Sequence, residues 1–217
     1  MIAAEARPFV DREFRKAGWK SASGLCYVRL LPFPPLVYGV SRLTEPWKII
    51  DPEVTPLMQA AELDRLELIK IELAAGADVN ARDQRGWTPL MHACMTRLAS
   101  SRVVLTLISA GADVNARDKV GRTPLIWAAT TGGAEDAVAK VRLLVAAHAD
   151  PNVKSSFGET ALYSAVGAGN AEIVSELLTA GADANARVVE GRTVLSIARA
   201  AGDTEMVSLL SRAGARE

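Results

Sequence analysis

Cysteine is scarce in this chain: Cys26 and Cys94 are the only two in 217 residues, too few for a disulfide framework and in keeping with a reducing compartment. A secreted, disulfide-stapled scaffold is therefore excluded. Histidine is equally rare, with His92 and His148 alone, and aromatic residues make up 5%. Net charge is missing too, since 25 basic residues balance 25 acidic ones. The balance hides a split: residues 1–50 carry 8 Lys/Arg against 4 Asp/Glu, whereas residues 51–217 carry 17 against 21. Neither half has the bulk positive charge of a nucleic-acid binder. Long hydrophobic runs are also absent. The most apolar stretch, 24–40, is broken by Arg29, Pro32, Pro34 and Pro35 and falls short of the roughly 18 to 20 apolar residues of a membrane span. The opening MIAAEARPFVDREF mixes acids and bases where a signal peptide has a basic start and an apolar core. The expectation is a cytoplasmic chain with no membrane partner. A content of 49% hydrophobic and 23% charged residues describes a globular protein and excludes disordered or collagen-like structure.

What the chain does have is a repeat. Thr-x-Leu recurs at Thr55, Thr88, Thr123, Thr160 and Thr193, in steps of 33, 35, 37 and 33 residues. A second landmark, Gly-Ala-Asp-x-Asn, begins at Gly76, Gly111 and Gly181; His148-Ala149-Asp150-Pro151-Asn152 is a variant and Gly214-Ala215 a truncated copy. A period of this size means stacked supersecondary units.

The local chemistry explains the unit. Threonine caps a helix N-terminus, and proline after it takes the position that needs no N–H donor, so each Thr-Pro opens a helix. Apolar and alanine residues follow at helical spacing, as in Leu57, Ala60 and Ala61, and the small side chains let helices approach closely. A short turn, such as Gly167-Ala168-Gly169-Asn170, leads to a second helix carrying Ile173, Val174, Leu177 and Leu178, which ends at Gly181. Gly76, Gly111, His148 and Gly181 each stand 12 positions before the next threonine, with a second glycine at Gly86, Gly121, Gly158 and Gly191. This constant segment is expected to be a hairpin-like finger. Extra length falls between the two helices, near 96–101 and 131–137; confined to two units, it suggests local adaptation, against the plainer reading of drift in a surface loop.

The Thr-Pro-Leu and Gly-Ala-Asp-x-Asn pair resembles the ankyrin repeat over residues 51–217, with five units beginning near 51, 84, 119, 156 and 189. The resemblance implies an all-α solenoid of helix–turn–helix units with hairpin fingers. Residues 1–50, which hold no copy, are expected to form a small irregular N-terminal cap or extension. The last unit has the polar outer side that an end repeat needs, with Glu205, Ser208, Ser211 and Arg212. In the first unit, Glu72 stands where the family usually has a core leucine, while Leu66, Ile69 and Leu73 offer an apolar face. The family's usual histidine three residues after Thr is replaced throughout, by Met58, Met91, Ile126, Tyr163 and Ser196.

Candidates for chemistry are few. His92 and Cys94 are two apart on one helix, about 200° around its axis, and cannot meet as a nucleophile–base pair. The thinly spread Cys and His residues make no zinc spacing. His148 replaces a helix-ending glycine, and its role there is expected to be structural. Gly132-Gly133 and the glycines of 167–169 lack the strand and longer fingerprint of a phosphate site, and Glu135 and Asp136 read as carboxylates favouring a helix N-terminus. No enzyme activity, cofactor or metal is expected.

A binding surface needs only an array of exposed side chains. The resemblance implies recognition of another protein through the finger tips and first helices, which line a groove. Carried onto this chain, the candidate residues are Arg85, Trp87, His92, Arg122, Trp127, Phe157, Glu159 and Arg192. Aromatic residues and arginine dominate many interfaces, which centres the site on units two to four. A row of Arg82, Arg117, Lys154 and Arg187 places positive charge at one finger position four times; it suits an acidic partner, but such a row is more often a solvated edge, here partly neutralised by Asp83 and Asp118. The expected protein is a monomeric, non-enzymatic interaction module. The alternative is that the repeats position an effector or docking function in residues 1–50.

Overall fold

The computed structural model describes residues 54–131, 136–188 and 191–216. The expected N-terminal cap, Gly132, Gly133 and Glu135 lie outside these residues. Among them are ten helices and no strand, in five pairs: α1 (Pro56–Glu62) with α2 (Leu66–Ala74), α3 (Pro89–Met95) with α4 (Ser101–Ser109), α5 (Pro124–Thr130) with α6 (Ala137–Ala146), α7 (Ala161–Gly167) with α8 (Ala171–Thr179), and α9 (Val194–Ala200) with α10 (Thr204–Arg212). First helices pack on first helices and second on second, pair after pair.

The threonines act as expected. The hydroxyls of Thr55, Thr88, Thr123, Thr160 and Thr193 accept the N–H groups of Met58, Met91, Ile126, Tyr163 and Ser196 at 3.2–3.4 Å. Proline opens α1, α3 and α5. Two residues after each threonine, Leu57, Leu90, Leu125, Leu162 and Leu195 are buried to 3% exposure or less, alongside Ala60, Ala93, Ala128, Ala165 and Ala198. Where the family histidine is missing, Met58, Met91 and Ile126 are buried, so apolar packing replaces a polar framework contact in the first three units.

Each finger is a tight backbone loop without regular strand pairing. Asp83 N–H donates to Trp87 O and Gly86 N–H to Asp83 O, and the same pair of bonds closes 118–122, 155–159 and 188–192. Adjacent fingers are joined by Lys119 N–H to Arg85 O (3.0 Å) and Ser156 N–H to Val120 O (2.8 Å). Gly86 sits at φ +77°, and a Cβ there would lie 3.1 Å from Lys119 N, so both backbone hand and neighbour spacing call for glycine. His148 adopts φ +64° in the place of the helix-ending glycines, a structural role at the cost of some strain.

Asparagine ties unit to unit. Asn80 donates to Gly111 O and accepts from Asp113 N–H; Asn115 does the same with His148 and Asp150, Asn152 with Gly181 and Asp183, and Asn185 with Gly214 and Arg216. A side-chain amide holds a donating NH2 and an accepting oxygen in one plane, which matches two backbone groups of the next unit.

Two expectations about the ends are resolved. Glu205, Ser208, Ser211 and Arg212 are exposed. In the first unit, however, Ile69 is buried and Leu66 and Leu73 pack against the core; the exposed apolar side chains are Leu63, Leu68 and Ile71.

The enlarged turn between α3 and α4 is more than a drifting surface loop. Lys140 of α6 is fully buried and its Nζ donates to Ala93 O (2.9 Å) and Thr96 O (2.8 Å), satisfying carbonyls at the C-terminal end of α3. Asp64 accepts from Ser100 N–H and Oγ–H, and Asp136 from Ser101 N–H and Oγ–H. Carboxylates from both neighbouring units thus hold the start of α4. Asp136 was expected to serve its own helix; it occupies the N-cap position of α6 without capping it because its oxygens are committed to α4.

Candidate partner-binding surface

The finger tips and first helices bring most of the candidate residues together in units two to four. Trp87, on the second unit's finger, is 8% exposed and forms a small buried cluster with Met91 and Ala116. Its ring meets Trp127 edge-on (centroids 4.7 Å, 60°) and His92 likewise (5.4 Å, 71°), arrangements that suit the aromatic quadrupole. The Arg85 guanidinium lies 5.1 Å from the Trp87 ring centroid, and Arg122 lies 4.9 Å from that of Trp127, both within cation–π range. Arg122 also forms a forked pair with Glu159, Nε and Nη2 reaching Oε2 at 2.9 and 2.8 Å. Phe157 is apart from this stack, at a finger tip and 55% exposed. Arg192, three units from Trp87, is exposed.

The aspartates that open the fingers organise this face from beneath. Asp83 Oδ1 accepts from Arg85 and Trp87 N–H, and its Oδ2 from His92 Nε2 at 3.1 Å. A carboxylate only accepts, so the ring hydrogen is on Nε2. His92 Nδ1 has no hydrogen-bond partner, although Glu62 Oε2 of the first unit lies 3.5 Å away. In the next unit Asp118 Oδ1 accepts from Val120 and Arg122 N–H, but tryptophan stands where His92 did. Trp127 Nε1 and Asp118 Oδ2 are both buried without a hydrogen-bond partner, a mismatch that costs about 1–3 kcal/mol for each group. In the fourth unit Ser155 replaces the aspartate and its hydroxyl accepts from Phe157 and Glu159 N–H.

The basic row behaves differently from a solvated edge paired with Asp83 and Asp118. Arg82 donates to Arg117 O (2.6 Å) and Gly86 O (3.4 Å), and Arg117 to Lys154 O (2.6 Å). The guanidinium groups stitch finger to finger, while both aspartates turn inward to backbone N–H groups.

Nothing in this geometry assembles a nucleophile. Cys94 is fully buried, and removal from water pushes its thiol up to about 12 despite the Lys140 charge. It stays protonated and unreactive near neutral pH. Burial lowers the Lys140 ammonium, opposed by Cys94, Asp136 and Asp64. Sequence reasoning missed Lys140, although the signal existed: Ala137, Lys140, Val141 and Leu144 form one buried stripe, so the lysine occupies an apolar position. Among the described residues, no group of three or more His, Cys, Asp or Glu side chains is placed to hold a metal, and no helix is long and apolar enough to cross a membrane.

The profile of the family described as ankyrin repeats (3 copies) matches residues 57–140 and again 133–216, well over half of the chain. The chain belongs to the ankyrin-repeat family. No curated protein matches it. Ankyrin repeats are generally protein–protein interaction modules and typically not enzymes. In this ankyrin array α3 is buried from Pro89 to Cys94, and the exposed side chains of units two to four lie chiefly on the fingers and second helices.

Proposed function

We propose that this ankyrin array is a non-enzymatic adaptor that binds a partner protein through its finger tips and first helices, centred on units two to four. The observation that carries this reading is the aromatic–arginine stack of Arg85, Trp87, Trp127 and Arg122, with Phe157 exposed beside it on the fourth unit's finger. Well-packed aromatic and arginine side chains are the groups that dominate interface energies, because they are held rigid before the partner arrives. In this arrangement Trp87, His92 and Trp127 serve as the supporting layer. Arg85, Arg122, Phe157 and Glu159 meet the partner, and Arg192 extends the surface along the stack.

The reading is tested by affinity capture from the native cell with wild type and with the double variant Arg85→Glu/Phe157→Ala. Both residues are exposed, so helical circular dichroism stays at the wild-type value while the captured partner is lost. Loss of partner in a second-helix control, Leu105→Glu, with retention in the finger variant would place the interface on the other face.

A further inference from the structure

We propose that the partner presents an acidic, extended segment to the fingers of units two to four, with an apolar side chain that covers Phe157. This rests on the finger-and-first-helix reading above and adds the chemistry of what binds there. The finger tips, 82–88, 117–123 and 154–160, carry six cations, Arg82, Arg85, Arg117, Lys119, Arg122 and Lys154, against three carboxylates. Asp83 and Asp118 accept backbone N–H groups, and Glu159 is paired with Arg122; Asp78, Asp113 and Asp150 stand earlier in the same segments and accept from Asn80, Asn115 and Asn152 N–H.

The cations are not balanced in return. Arg82 and Arg117 spend their donors on backbone carbonyls, which leaves their charge in place. Arg85 lies against the Trp87 ring, and Lys119 and Lys154 are exposed. None of these five forms an ion pair with a carboxylate among the described residues. A row of like charges along adjacent loops steers and orients a complementary segment, and an extended chain matches the spacing of successive fingers. Phe157, 55% exposed amid these charges, is the one large apolar side chain exposed on the described fingers, and it calls for one apolar contact in an otherwise acidic ligand.

A single-stranded nucleic acid is also an extended anion, but it needs open aromatic faces on which bases stack. Trp87 is buried beneath Arg85, and Trp127 lies under Arg122 and against Trp87. Residues 51–217 carry more acidic than basic side chains, 21 against 17, so the positive potential is local to the fingers. Both observations favour an acidic peptide.

The test is selection of a random dodecapeptide display library against the full chain. The most enriched peptide is then synthesised with fluorescein and titrated by polarisation, with fluorescein-labelled oligo(dT) beside it. The proposal predicts enriched sequences of net negative charge containing a Leu, Ile or aromatic residue, and binding that weakens at least tenfold between 50 and 300 mM salt, in line with screening of exposed charges. It also predicts at least tenfold weaker binding by Arg85→Glu/Lys119→Glu/Lys154→Glu. The Gln counterparts provide the same test with a smaller loss if charge reversal disturbs folding. Neutral or basic peptides whose binding is lost in Phe157→Ala would overturn the acidic specificity while leaving the surface assignment standing. Peptides indifferent to all these substitutions would overturn both. No enrichment, or tighter binding of oligo(dT) lost in the charge variants, would also reject the acidic-peptide proposal.

Discussion

At the scale of single residues, the fold is specified by groups with one job each. A threonine hydroxyl caps, an asparagine amide links two units, and a positive-φ glycine turns a finger. Cys94 offers a direct check on how dry the interior between α3 and α6 is. Its thiol has an ordinary value of 9.0 and is pushed up to about 12 by burial. A folded-state value above the unfolded one gives stability that is complete below pH 9 and is lost as pH rises from 9 toward 12, because only the unfolded chain releases the proton in that interval. Urea denaturation of wild type and Cys94→Ala should therefore show a constant stability difference from pH 7 to 8. Above pH 9 the wild type should lose up to about 1.4 kcal/mol per pH unit more than the variant. Parallel pH profiles would mean that the thiol meets water in the folded state. Lys140, beside it, was hidden from sequence reading because a lysine in a helix is ordinarily solvated by its long stem. The carbonyls of Ala93 and Thr96, brought from another unit, and the carboxylates of Asp136 and Asp64 make its buried position tenable.

At the scale of elements, what was legible in the sequence was whatever local chemistry decides. The starts of the first helices follow from Thr-Pro, their burial from Leu and Ala spacing, and the finger turns from glycine at fixed offsets. What was not legible depends on the neighbour. Trp87 is covered because Ala116 of the next finger and Trp127 of the next first helix close over it, which no spacing within its own unit reveals. The Arg82–Arg117 stitching likewise follows from a reach into the adjacent unit. The asparagine links make the same point quantitatively. Asn115→Ala removes a donor to His148 O and an acceptor for Asp150 N–H, bonds worth about 0.5–1.5 kcal/mol each. Equilibrium denaturation should show a loss of about 1–3 kcal/mol with helical content unchanged at low denaturant. No loss would mean that water replaces both bonds.

At the scale of the whole molecule, a constant framework carries finger tips that differ from unit to unit. First helices packed on first, second on second and the asparagine links hold the array in register, while the fingers vary in side chain on a constant backbone. In the second unit an aspartate–histidine bond supports a tryptophan, in the third an aspartate with one oxygen unpaired sits below an arginine–indole contact, and in the fourth a serine carries an exposed phenylalanine. One framework therefore presents three different surfaces side by side. The most direct measurement is amide hydrogen exchange on the chain alone and in complex with the captured partner. The account predicts that protection on binding is concentrated in 82–88, 117–123 and 154–160 and in α3 and α5, with α4, α6 and α8 unchanged. Protection confined to the second helices, with the fingers exchanging as in the free chain, would contradict it.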